Sequence, residues 1–250
     1  MTKEILEKMK QLKLLGMTRA YKTSIESDQL NQFTADELVA LLIESEWDDR
    51  HNRNIERRMR NAKFRYQASI ENIDYESSRS IDRNQIQRLA ECAFIEKHEN
   101  ILITGSTGIG KSFIASALGH QACQLGYKVI YANTTKLFSM LKMAKADGIY
   151  IREIARLERQ NLLIIDDFGL HPMDTQNRAA LMEIIEDRHE KSSVIITSQL
   201  PVNCWYDVIG EKTVADAILD RLVHKAHRIE LKGESLRKKM EKQTKMETVN

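Results

Sequence analysis

Gly105-Ser106-Thr107-Gly108-Ile109-Gly110-Lys111-Ser112 satisfies the pattern G-x-x-x-x-G-K-[ST] at every fixed position. It follows a short apolar run, Asn100 to Thr104, and opens a stretch whose apolar residues Phe113, Ala117, Leu118, Ala122 and Leu125 recur at helical spacing. Strand, glycine loop and helix in this order build a phosphate cradle. Glycines let successive backbone N–H groups turn inward, and the helix N-terminus adds its partial positive charge. Lys111 supplies a mobile cation for the β and γ phosphates, and the Ser112 hydroxyl is a candidate ligand of Mg²⁺. The loop and the first helical side chain, Gly105 to Phe113, are therefore the expected ATP-binding segment.

A second apolar run, Leu162-Leu163-Ile164-Ile165, ends in Asp166-Asp167. A buried strand ending in two carboxylates is the other half of such a site. Asp166 is expected to hold Mg²⁺, and Asp167 to orient the attacking water. Phe168-Gly169 completes D-F-G, but no H-R-D loop accompanies it, so the kinase echo is accidental. Val194 to Ser198 is a further strand with a polar tip. Placed between the other two, it would bring Thr197, Ser198 or Gln199 to the γ phosphate, with Ser198 and Gln199 nearest the strand end.

Five strand-like runs alternate with helical patterns from Asn100 onward, the others being Lys128 to Ala132 and Ile229 to Lys232. Alternation predicts a parallel five-stranded sheet with helices on both faces, an α/β fold. Residues 1–67 read as helices only, residues 68–98 as a linker and first core helix, and residues 99–250 as the ATPase core with a basic tail. Thr34-Ala35-Asp36-Glu37 is a capping box that starts a long helix. Its stripe Trp47, Ile55, Met59, Ala62 and Tyr66 is expected to pack as core, with Arg53, Arg57 and Arg60 on the opposite face.

The net charge of the 250-residue chain is only +2, but it is unevenly spread. Between Arg50 and Arg65 six arginines and Lys63 face one acid, Glu56, and from Arg221 onward nine Lys or Arg face four Glu. Dense basic blocks point to duplex DNA bound through its phosphates, with Arg50, Arg53, Arg57 and Arg60 as the contacts. No apolar run reaches the ~18 residues of a membrane span. Cys92, Cys123 and Cys204 are scattered, and no secretory leader is evident, so a reduced, cytoplasmic protein is expected. His224 and His227 lack a third partner for a metal site.

The two acidic and glycine motifs, with Ile196-Thr197-Ser198-Gln199-Leu200-Pro201 and above all the block Thr213 to His224 continued by Ala226 to Arg237, resemble the IstB-like ATP-binding proteins. These are AAA+ helper ATPases of insertion-sequence transposition, related to the DnaC helicase loaders. The resemblance spans nearly the whole chain. It implies an ATPase that self-assembles on target DNA with nucleotide at subunit boundaries, stimulates a partner transposase, and turns over slowly unless DNA is bound. It also implies an arginine finger at Arg221, a phosphate sensor at Arg237, and a helical lid that is minimal or absent. Asp167 stands where most AAA+ proteins have Glu. A helicase loader built on the same core is the alternative. A small-molecule kinase would need a substrate lid that no segment suggests.

Overall fold

The computed structural model describes residues 2–75, 80–233 and 235–236. The chain forms two compact units, Met1–Arg57 and Arg58–Asn250.

The first unit is helical: α1 (Thr2–Gln11), α2 (Leu15–Glu26), a single 3₁₀ turn at Leu30–Gln32, and most of α3 (Ala35–Ala62). The capping box forms as expected. The Thr34 N–H donates to Glu37 Oε2 at 2.8 Å, and the Glu37 N–H donates to Thr34 Oγ1 at 3.3 Å. The start of α2 lacks a local side-chain cap. Glu46 on α3 replaces it, accepting the Gly16 N–H at 2.8 Å and the Met17 N–H at 3.3 Å. Two helix-terminal donors are thus satisfied by a carboxylate thirty residues away. Burial opposes ionisation of Glu46, but its bonds to Arg50 and to the two amides win, and its carboxyl stays below the usual range.

This docking sets the rotation of α3 and corrects the expectation for Trp47. The Gly16 backbone comes so near Ser45 and Glu46 that a Cβ would stand 2.2 Å from the Ser45 carbonyl oxygen. With that side of α3 turned to α2, Trp47 is 71% exposed and shares an outward stripe with Val39 and Ile43. Met59, Ala62 and Tyr66 do pack on the core of the second unit.

That packing also moves the division between units. It falls after Arg57, ten residues before the expected break at 67, because Met59, Ala62, Phe64 and Tyr66 belong to the core's contacts. Residues expected to be linker are core as well: Ala68, Ile70 and Ile73 are buried. They lead into α4 (Arg83–Ala90), whose N-cap Asp82 accepts the Asn84 N–H at 2.8 Å, and α5 (Ala93–Glu96).

The second unit continues β1 (Asn100–Gly105), α6 (Lys111–Gln124), β2 (Val129–Asn133), α7 (Thr134–Ala146), α8 (Tyr150–Glu158), β3 (Leu162–Phe168), α9 (Thr175–Arg188), β4 (Ser193–Ser198), α10 (Trp205–Ile209), α11 (Lys212–Val223) and β5 (Ala226–Leu231). The five strands pair in parallel in the order β2-β3-β4-β1-β5. Every expected strand is present, β5 beginning three residues early. Side chains alternate between two apolar layers. Ile101, Ile103, Leu162, Ile164 and Ile195 face α4 and α6, whereas Leu102, Leu163, Ile165, Val194 and Ile196 face the other helices. Burial on both faces explains why these strands read as continuous apolar runs. Buried Arg188 closes the lower edge of one layer, donating to the carbonyls of Leu157 at 2.9 Å and Ser193 at 2.8 Å. Arg237 and the final helix expected around it lie outside the described residues.

Replacing Gly16 by Ala forces a methyl group into the α3 backbone. We expect a loss of about 1–3 kcal/mol in the helical unit, seen as a lower thermal midpoint by circular dichroism, with nucleotide affinity unchanged.

Candidate functional site

Strand order decides which side chains meet. β4 lies between β1 and β3, so the end of the glycine-loop strand, the polar tip of β4 and the acidic end of β3 share one sheet edge. The loop wraps with positive φ at Gly108 (79°) and Gly110 (105°), and Gly110 is the N-cap of α6. A side chain at either would be strained, and at Gly110 the pattern itself fixes glycine. Lys111 is buried, and its Nζ donates to the carbonyls of Gly105 and Ser106, both at 2.8 Å. Burial pulls its pKa down, opposed by Asp167 and Asp166.

Asp166 is fully buried and heavily bonded. Its Oδ1 accepts from Ser112 Oγ at 2.6 Å and Thr197 Oγ1 at 2.5 Å, and its Oδ2 accepts from the Tyr131 hydroxyl. Burial, then that bond to a carboxylate, pushes the Tyr131 phenol well up, so it remains a donor. The next residue breaks the strand. Pairing between β3 and β4 slips between Ile165 and Phe168, and Asp167 has φ 59°. This bulge keeps two consecutive carboxylates side by side, Asp167 lining the cleft and Asp166 buried next to it, where a regular strand would send them to opposite faces. Asp167 is held by Asn133 Nδ2 at 3.1 Å, and its N–H donates to Thr197 Oγ1 at 3.1 Å.

A cavity of about 420 Å³ opens onto this edge. Thr107, Lys111, Ser112 and Phe113 line it on the loop side, with Asp167 and Gln199 opposite and Tyr66, Asn72 and Ile73 on a third wall. Ile109 is buried in the core, so its side chain supports the loop from behind. Leu236 also reaches this cavity, its N–H donating to the Gly108 carbonyl at 3.0 Å, and the Ser106 hydroxyl donates to Gly233 O at 3.5 Å. The segment after β5 therefore closes on the glycine loop.

Ser198 is a correction. Its hydroxyl donates to Phe168 O at 2.8 Å and accepts from Leu200 N at 3.1 Å, and it is fully buried. The bulge places Phe168 opposite Ser198, so that hydroxyl is spent on the backbone. Thr197 touches both acidic residues, and Gln199 lines the cavity, accepting from Thr107 Oγ1 at 2.6 Å. Arg221 lies away from the loop. Its main-chain carbonyl accepts from Asn100 at the far end of β1 at 3.3 Å, and its guanidinium pairs with Glu186 at 2.7 Å. Of the basic face, Arg50 pairs with Glu46 at 2.6 Å and Arg53 with Asp49 at 2.6 Å; Arg57 and Arg60 are exposed.

Tyr131, Asn133, Thr134 and Arg65 were not singled out for this site from the sequence. Thr134 Oγ1 donates to the Asp166 carbonyl at 2.8 Å, and Arg65 Nη1 lies 3.3 Å from Asp166 Oδ2 and 3.1 Å from Asp167 Oδ2. The only signal was position: Asn133 ends a strand beside the acidic one and caps α7, its Oδ1 accepting from Thr135 N at 3.1 Å, with Thr134 the first residue of that helix.

The donor set suits a hard cation. Ser112 Oγ and Asp166 Oδ1 are adjacent oxygens beside the lysine, leaving further positions to phosphate and water, as Mg²⁺ prefers. Among the described residues no cluster of three His, Cys, Asp or Glu forms a protein-only metal site. The arrangement can hold a triphosphate along the loop and present Asp167 to a water at its end.

A family model described as IstB-like ATP binding protein matches residues 7–244. The insertion sequence ATP-binding protein y4pL of Sinorhizobium fredii is 46% identical over 233 residues, 93% of this chain and 95% of that one. The insertion sequence IS21 ATP-binding protein of Pseudomonas aeruginosa is 30% identical over 97% of this chain and 91% of its own length. Among solved structures, the DnaC helicase loader superposes with a TM-score of 0.57 at 19% identity, covering 67% of this chain and 98% of that chain. At that identity the likeness is one of fold.

Ser198→Ala should lower stability by about 1–3 kcal/mol and leave fluorescent-ATP affinity unchanged. Gln199→Ala should alter the difference between ATP and ADP affinity at unchanged stability. Titration and thermal melts of both variants check this.

Proposed function

Because the chain belongs to the IstB-like ATP-binding protein family, with the AAA+ fold and a place in insertion-sequence transposition, we propose that it hydrolyses ATP with Mg²⁺ while assembled on duplex DNA. In this reading it assists a partner transposase. The observation that carries the assembly is the separation of Arg221 from its own glycine loop. The residue sits against the start of β1 and the loop follows its end, roughly 17 Å apart at the rise of a strand. Arg221 cannot reach the phosphates held by its own chain, whereas from a neighbouring copy it can complete the site, as an arginine finger does.

Within one subunit, Gly105 to Phe113 bind the triphosphate, Ser112 and Asp166 position Mg²⁺, and Asp167 holds the attacking water, with Thr197 and Asn133 fixing its direction. Gln199 takes the phosphate-sensing position. Arg237 keeps its proposed role as a second phosphate contact on the family resemblance alone. DNA would be held through phosphates, without base reading. Arg57 and Arg60 are the freest of the four arginines for this, because Arg50 and Arg53 are tied to acids on their own helix. No helix among the described residues is long and apolar enough to cross a membrane.

The test is sedimentation of the protein with ADP, with ATP, and with ATP and duplex DNA, alongside its ATPase rate. The expected result is a larger species with ATP and DNA, and faster hydrolysis. Lys111→Ala should bind no nucleotide, and Arg221→Ala should bind ATP normally yet lose roughly 10³-fold in turnover. Reversing Arg57 and Arg60 to Glu should weaken DNA binding and flatten its salt dependence. A monomer under all three conditions contradicts the trans role of Arg221. Capture of the replicative helicase but not the transposase would favour the loader reading.

A further inference from the structure

Arg65 belongs to neither nucleotide motif, yet it is the residue through which the acidic pair is neutralised. It follows the end of α3 by three positions. Its guanidinium reaches both carboxylates through Nη1, and its Cζ lies 5.5 Å from the Tyr66 ring centroid. Of the ion pairs among the described residues, those to Asp166 and Asp167 both come from Arg65. Lys111 is turned instead to the loop carbonyls. Asp166 is fully buried, and the Arg65 side chain is 43% exposed. One partner is locked by four polar contacts, and the other has room to leave.

Two adjacent carboxylates in a cleft repel, and one must be neutralised by a cation or a proton. Arg65 approaches Oδ2 of Asp166, on the side opposite the Ser112 contact at Oδ1. A divalent ion beside Ser112 and Arg65 would not claim the same oxygen, but they would share the charge of the same pair. Two cations answering one acidic pair oppose one another. Arg65 also lines a second cavity, of about 720 Å³, on the β2 side of the pair, with Lys63, Lys136 and Arg156. That space gives the displaced guanidinium somewhere to go, although its cations make the new position less favourable than the old.

Resting on the ATPase reading above, we propose that Arg65 is a resident counter-cation of the Asp166-Asp167 pair that must withdraw when a divalent ion and nucleotide bind. It thereby sets the metal affinity of the site and holds Asp167 in reserve until the metal has arrived. Arg65 is thus a positioning residue, acting on the reaction through the carboxylates.

The experiment is an Mn²⁺ titration followed by electron paramagnetic resonance, on the full chain with ADP, for the wild type, Arg65→Gln and Arg65→Lys. With the competing cation removed, Arg65→Gln should bind Mn²⁺ about three- to tenfold more tightly, the worth of one or two partly exposed ion pairs. Arg65→Lys should stay near the wild type. Without divalent ions Arg65→Gln should melt earlier, and added Mg²⁺ should recover more of its stability than it adds to the wild type. Unchanged or weaker Mn²⁺ affinity in Arg65→Gln overturns the proposal. So does a loss of its ADP affinity in EDTA, which would make Arg65 a phosphate ligand. If the wild type binds no ADP, the ATPase reading fails. The Mn²⁺ titration of the nucleotide-free protein then still decides the role of Arg65.

Discussion

The buried carboxylate of Asp166 is the constraint on which the site depends. A fully buried charge is costly unless it is paired and hydrogen-bonded. Asp166 meets that demand by drawing in Ser112 from α6, Thr197 from β4, Tyr131 from β2 and Arg65 from the segment after α3. Thr134 at the start of α7 binds its carbonyl. Five pieces of chain are thus fixed relative to one atom group, and the glycine loop inherits its position from that arrangement. A change at any of these partners leaves part of a buried charge unanswered, so errors here cost more than their exposed counterparts would.

The bulge after Asp166 turns that buried anchor into usable chemistry. Consecutive strand residues point to opposite faces, and a regular β3 would hide one of the two acids in the apolar layer. A left-handed backbone at Asp167, a conformation that aspartate tolerates better than most residues, keeps the two side by side within reach of Arg65. The same slip consumes the Ser198 hydroxyl in restoring the broken ladder. One irregularity therefore turns Asp167 to the cavity and commits the Ser198 hydroxyl to the backbone.

In the helical unit the ruling constraint is again a buried acid. Glu46 supplies the cap that α2 does not carry locally, and Gly16 permits the approach that makes it possible. That contact explains why a long amphipathic helix leaves Val39, Ile43 and Trp47 in solvent. Helical periodicity identifies a stripe, but which stripe is covered depends on the backbone that docks beside it. The loss of Arg50 and Arg53 from the freely available basic face has the same origin, since both answer acids that α3 itself carries.

What the sequence by itself determined was local or repetitive in its physics. Glycine spacing, the five apolar runs, the capping box and the paired acids each follow from short-range backbone preference or from burial on two faces. They sufficed to read the fold class, the glycine loop and the Asp166-Asp167 pair. Tertiary structure alone decided the strand order that seats Thr197 against Asp166, the choice of Gln199 over Ser198 at the cavity, and the membership of Tyr131, Asn133 and Arg65. It also decided that residues 58–75 belong to the core. Those outcomes depend on register between strands distant in sequence and on which buried charge needs a partner. Neither leaves a periodic trace along the chain.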